Sequence, residues 1–129
     1  MRLLLDTHAL LWWLADSPSL SARARKLIGS RSNDIIVSSA SAWEIATKTR
    51  LGKLSGAESL LLDFDAVLAR ESFEALPIVI RHATVAGALT GPHKDPFDRM
   101  LIAQCQLESL PVLSLDPVFD HYQVRRLWD

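Results

Sequence analysis

The chain has 129 residues, of which 49% are hydrophobic and 22% charged, and its formal net charge is −1. This length suits one compact domain over residues 1–129 with a core that needs no disulfide or structural-metal staple, and the composition excludes intrinsic disorder, collagen-like repeats and low-complexity sequence. A lone Cys105 rules out an internal disulfide, no apolar run approaches the roughly 18–20 residues of a membrane span, and the lack of a charged-then-apolar leader leads us to expect a reduced, cytoplasmic protein.

In chain order, Met1–Leu5 reads as a short apolar strand that stops at Asp6. Thr7–Ala15 is largely apolar and closes at the turn cluster Asp16-Ser17-Pro18. A basic helical stretch starts at Ser21 and breaks from Gly29 to Asp34. Ile35-Ile36-Val37, β-branched throughout, reads as a buried strand. The next helix carries Trp43-Glu44-Ile45-Ala46, with Ser41 and Glu44 at capping-box spacing. Glu58–Phe73 has the pattern of one amphipathic helix, and Leu76–Ile80 that of a strand with Pro77 near its start. Ala83–Leu89 is helical in pattern and Gly91-Pro92 stops it. Asp95 as N-cap, Pro96 at N1 and Asp98 at N3 open the clearest helix, which runs to about Leu107. Leu110–Leu115 and Val124–Leu127 are the last two strands, the latter at an edge. This alternation predicts a single α/β domain, a mostly parallel central sheet flanked by helices on both faces.

Ligands of open parallel sheets gather beyond the carboxyl ends of the strands, so the polar residues placed there matter most. Asp6 ends the first strand, Glu44 lies early in the helix after the second, Asp98 opens its helix and Asp116 ends the Leu110–Leu115 strand. Singly, each acid has an ordinary explanation. Asp98 suits a helix N-terminus, Glu44 a capping box and Asp116-Pro117 a turn; Asp6, which interrupts an apolar run, is balanced between structure and function. As a set they put negative charges at one end of the sheet, where carboxylates repel one another unless a hard divalent cation such as Mg²⁺ or Mn²⁺ separates them. An oxygen-only cage of one or two ions suggests phosphodiester hydrolysis.

Four segments carry a family resemblance: Leu3-Leu4-Leu5-Asp6-Thr7-His8, Ser41-Ala42-Trp43-Glu44-Ile45, His93-Lys94-Asp95-Pro96-Phe97-Asp98-Arg99 and Ser114-Leu115-Asp116. In their order and spacing, over essentially the whole chain, the sequence resembles PIN-domain ribonucleases, specifically the VapC-type toxins of toxin–antitoxin modules. The resemblance implies a Mg²⁺- or Mn²⁺-dependent endoribonuclease with Asp6, Glu44, Asp98 and Asp116 as catalytic metal ligands, Asp6 and Asp98 foremost. It also implies a cognate antitoxin occupying the acidic groove and a homodimer. Thr7 would orient Asp6 or a water, and Ser114 stands where many members have Thr.

The remaining polar and aromatic residues read more plainly. His8, His82, His93 and His121 are scattered, and none pairs with Cys at zinc spacing. Cys105 fits an apolar helix face as a core residue. Of Trp12 and Trp13, one is expected in the core and the other at a protein-binding surface, while Trp43 is read as packing. Lys48, Lys94 and Arg99 are solvated by default, and are the cations placed to touch an RNA backbone. Two rival readings keep the fold: a non-catalytic interaction module whose partner binds the acidic groove, and a metal-dependent phosphomonoesterase. A phospho-acceptor receiver is disfavoured, because Thr7 rather than a second acid follows Asp6 and no Lys follows Leu110.

Overall fold

The computed structural model describes residues 1–91 and 93–129. Arg2–Leu5 (β1), Asp34–Ser38 (β2), Glu74–Leu76 (β3), Val112–Leu113 (β4) and Arg126–Leu127 (β5) form one sheet in the order β3-β2-β1-β4-β5, and every pairing is parallel. The central strand β1 is apolar on both faces because both are covered. Leu3 and Leu5 point into one core, beside Ile35 and Val37; Leu4 points into the other, beside Ile36 and Val112. All three leucines are fully buried, each contributing about 1.5–3 kcal/mol by leaving water.

Helices Thr7–Leu14 (α1), Ala22–Gly29 (α2), Glu58–Leu62 (α4) and Phe64–Glu71 (α5) supply side chains to the Leu3/Leu5 core. On the opposite face lies Pro96–Glu108 (α7), whose Leu101, Ile102 and Cys105 join the second core together with Phe119 of a 3-10 helix, Pro117–Tyr122. Ile80–Ala88 (α6) packs on α7, and Ser39–Arg50 (α3) follows β2 and touches both α1 and α7. No helix among the described residues is long and apolar enough to cross a membrane.

Several expected boundaries move. Glu58–Phe73 is two helices, broken at Asp63, which takes an extended backbone (φ −155°, ψ 82°) and accepts the Ala66 N–H on its carboxylate to cap α5. The strand expected over Leu76–Ile80 ends at Leu76, because Pro77 has no N–H for the ladder. Ile80 instead starts α6, where the His82 ring reaches back to accept the Val79 N–H at 3.1 Å. Helix α3 has its cap three residues before the expected capping box. Ser38 caps it by accepting the Ala40 N–H, and Ser41 lies inside the helix. The strand expected over Leu110–Leu115 is paired only at Val112–Leu113. Of the expected Gly91-Pro92 stop, Pro92 lies outside the described residues; α6 ends at Ala88.

Both tryptophans of α1 are half-buried, so neither is fully core nor free surface. Trp13 donates its indole N–H to Glu71 at 2.7 Å, and Trp12 lies edge-on to Trp128. Cys105 is a core residue, as expected, and burial pushes its thiol up to about 12.

Candidate active site

Strand order reverses between β1 and β4, since β2 and β3 extend from one side of β1 while β4 and β5 extend from the other. Parallel sheets open a crevice at such a point, at the strands' carboxyl ends. Asp6 follows β1 directly and Ser114 follows β4, so both stand in that crevice. Asp6 is 8% exposed and caps α1, accepting the Ala9 N–H at 2.7 Å. Its other carboxylate oxygen accepts the hydroxyl of the fully buried Ser114. The same Ser114 oxygen accepts the Asp116 N–H at 3.0 Å, so one serine ties the two acids together. Asp116 itself is exposed and caps the 3-10 helix through the Val118 N–H at 2.9 Å.

Glu44 and Asp98 form a second pair of acids, on α3 and α7. Glu44 is buried one and a half turns into α3, and the Lys48 ammonium one turn later donates to its carboxylate. Asp95, Pro96 and Asp98 take the expected N-cap, N1 and N3 positions, with the Asp95 carboxylate accepting the Asp98 N–H at 3.0 Å. The His93 ring holds Asp98 Oδ2 through Nε2 at 2.9 Å. Between the helices, Trp43 meets Phe97 edge-on at 4.6 Å between centroids, fastening the neighbours of the two acids to each other.

Within each pair the neighbouring carboxylate adds to the effect of burial. Burial raises the Asp6 carboxyl pKa, against the hydrogen bonds from Ser114 and Ala9, and the Asp116 charge adds to the rise. Burial likewise raises Asp98 from 3.8 to about 6, with Asp95 and Glu44 pushing the same way and His93 opposing. The folded protein therefore binds the Asp98 proton more tightly than the unfolded chain does. Stability from that proton is present below 3.8 and is lost as the pH rises through about 6. Urea denaturation in EDTA is expected to show wild-type stability falling over this interval more steeply than that of Asp98→Asn; equal slopes would contradict this assignment.

Among the described residues, no three His, Cys, Asp or Glu side chains are grouped to hold a metal ion, because each carboxylate is turned to a partner of its own. In kind, however, the donors suit a hard divalent ion. They are all oxygens, and one oxygen each of Glu44, Asp98 and Asp116 accepts no hydrogen bond among the described residues.

Residues 3–124 match the PIN domain family. The chain belongs to that family. Solved PIN-like structures of similar fold include VapBC2 from Rickettsia felis bound to a DNA fragment from their promoter, with TM-score 0.72 and 18% identity, covering 100% of both chains. FitAcB from Neisseria gonorrhoeae has TM-score 0.66 and 17% identity, covering 97% of this chain and 96% of that one. DNA-bound VapBC from Salmonella typhimurium has TM-score 0.65 and 16% identity, covering 98% and 97%. No curated protein matches the sequence of this chain.

Several side chains of this PIN domain have roles other than those expected. Thr7 is buried but donates its hydroxyl to Ser41 at 3.0 Å, so it braces α1 against α3 rather than orienting Asp6. Lys48 is engaged with Glu44 instead of being solvated. Arg99 is not placed for RNA phosphates: its guanidinium is spent on the carbonyls of Ala86, Gly87, Leu89 and His93 at 2.6–3.3 Å. Lys94 remains exposed, as the default reading has it. Sequence reasoning passed over His93 as one of four scattered histidines; its signal was its place five residues before Asp98 within the most specific segment.

Proposed function

We propose that this PIN domain is a Mg²⁺- or Mn²⁺-dependent endoribonuclease and the toxin of a toxin–antitoxin pair. The observation that carries this reading is the pairing of buried Asp6 with Asp116 through Ser114, at the strand-order reversal. Asp6, Glu44, Asp98 and Asp116 would hold one or two ions. Such an ion supplies charge stabilisation at phosphoryl oxygens and activates water for attack on phosphorus.

The protein's part is to fix these carboxylates and keep them ionisable. The Ala9 N–H and the Ser114 hydroxyl hold Asp6 in one rotamer and favour its charged form. The His93 ring does the same for Asp98. Lys48 balances the buried Glu44 charge and stands close enough to Asp95 and Asp98 to feel both, which keeps a cation beside these acids, where an RNA phosphate would arrive. A cognate antitoxin occupying the acidic groove, a homodimer and a cytoplasmic setting belong to the same proposal; the likeness in fold to VapBC2 is what suggests the antitoxin.

Incubation of defined RNAs with Mg²⁺ or Mn²⁺ is expected to give internal cleavage that EDTA abolishes and added metal restores. Cleavage undiminished by EDTA would overturn the metal-dependent mechanism, and metal binding without cleavage would favour an interaction module. Hydrolysis of small phosphomonoesters but not RNA would favour the phosphatase.

A further inference from the structure

Beside the carboxylates lies a pocket of about 760 Å³ that the reaction as described does not use. One wall is the 3-10 helix, contributing Val118, His121 and Tyr122; the other is the segment that leads into α7, contributing Thr90 and His93. Asp116 belongs to both the pocket and the acidic site, and His93 lines the pocket while holding Asp98. A group occupying this pocket is therefore adjacent to whatever the carboxylates act upon.

Two features at Tyr122 distinguish this pocket from an incidental surface dip. Its residue is 9% exposed, yet its hydroxyl is buried with no hydrogen-bond partner among the described residues. Buried hydroxyls are normally paired, and an unpaired one in a native fold calls for an explanation such as a ligand. The second feature is Gly91, which has φ +114° and on which a Cβ would lie 2.8 Å from the Tyr122 hydroxyl. The segment thus passes directly against that oxygen only because position 91 has no side chain.

The lining suits one class of occupant. Val118 and the Tyr122 ring offer apolar and aromatic surface; Thr90, His93 and His121 offer hydrogen-bonding groups of both senses at its edge. A flat heteroaromatic group with polar edges uses both, and single-stranded RNA presents such groups when its bases are splayed from the backbone. We propose that this pocket is a nucleobase subsite that holds the base flanking the scissile phosphate and so sets cleavage preference. The proposal rests on the RNA-cleavage reading for its biological role, but the pocket's affinity for a base is separable from catalysis.

The four ribonucleosides, which carry no phosphate, titrated in EDTA test the pocket without the metal or the reaction. At least one is expected to shift the imidazole NMR resonances of His93 and His121, the former still readable when residue 121 is replaced. Tyr122→Phe, which removes one hydroxyl and leaves the ring, is expected to weaken that binding about five-fold, as is the exposed His121→Ala. In cleavage of a random-sequence RNA pool, both variants are expected to show a base preference next to the cut different from that of the wild type. Absence of any nucleoside-induced shift, or cleavage preferences identical in all three proteins, would overturn the subsite. Should no RNA be cleaved, nucleoside binding that is lost in Tyr122→Phe would still uphold the pocket while sinking the nuclease reading.

Discussion

Asp6→Asn is expected to lower RNA cleavage by a factor on the order of 10²–10³, the scale on which enzymes respond to losing one preorganised electrostatic group, with the fold intact. The two halves of this expectation rest on different atoms. An asparagine keeps a side-chain oxygen for the Ala9 N–H, and Asn is as good an N-cap as Asp. It also removes a buried carboxylate whose ionisation is already opposed by burial, so the substitution costs the fold little. What it does remove is the formal charge at the carboxyl end of β1, the one position held by both a helix cap and the Ser114 hydroxyl. Cleavage assays paired with thermal melts decide the matter. Activity near wild type would remove Asp6 from the chemistry, and a collapsed melting temperature would make it a structural residue instead.

Phe119→Ala should act in the opposite way, on stability first. Phe119 is fully buried in the core under Leu4, Ile36 and Val112, and truncating such a ring costs about 3–5 kcal/mol through lost transfer energy and the cavity left behind. For a domain that has only about 5–15 kcal/mol to lose, that is a large fraction. The same ring anchors the 3-10 helix that carries His121 and Tyr122 and is capped by Asp116, so cleavage is expected to fall even at temperatures where the variant is folded. Urea denaturation measures the first effect; a midpoint within experimental scatter of wild type would contradict the packing described for this residue.

The parts of the molecule legible in its sequence were those where one local rule decides. β1 and β2 are short runs of apolar residues bounded by charge, and only a covered strand explains such runs. Asp95, Pro96 and Asp98 define a helix start by their own chemistry, and they occupy the positions expected of them. Less legible were features settled by a distant partner. Ser41 has capping-box spacing to Glu44, but the competing cap at Ser38 wins and Ser41 is bonded across the fold to Thr7. Leu76–Ile80 has strand composition, yet His82 stabilises a helix start at Ile80 by satisfying the Val79 N–H, a bond visible only once the turn has formed. Lys48 and Arg99 look alike as basic residues near acids. Their fates diverge because one lies a helical turn from a buried carboxylate and the other beside the carbonyls at the end of α6 and after it.

Arg99 has a consequence for how the protein tolerates change. All four of its recorded partners are main-chain oxygens, a group that every amino acid carries. These bonds therefore do not depend on which side chains the partner residues carry, whereas the single side chain at position 99 has no substitute, since a lysine lacks the planar fork that reaches several acceptors at once. The end of α6 and the residue five before Asp98 are thus tethered to one and the same side chain, whose hold is indifferent to the chemistry of what it grips.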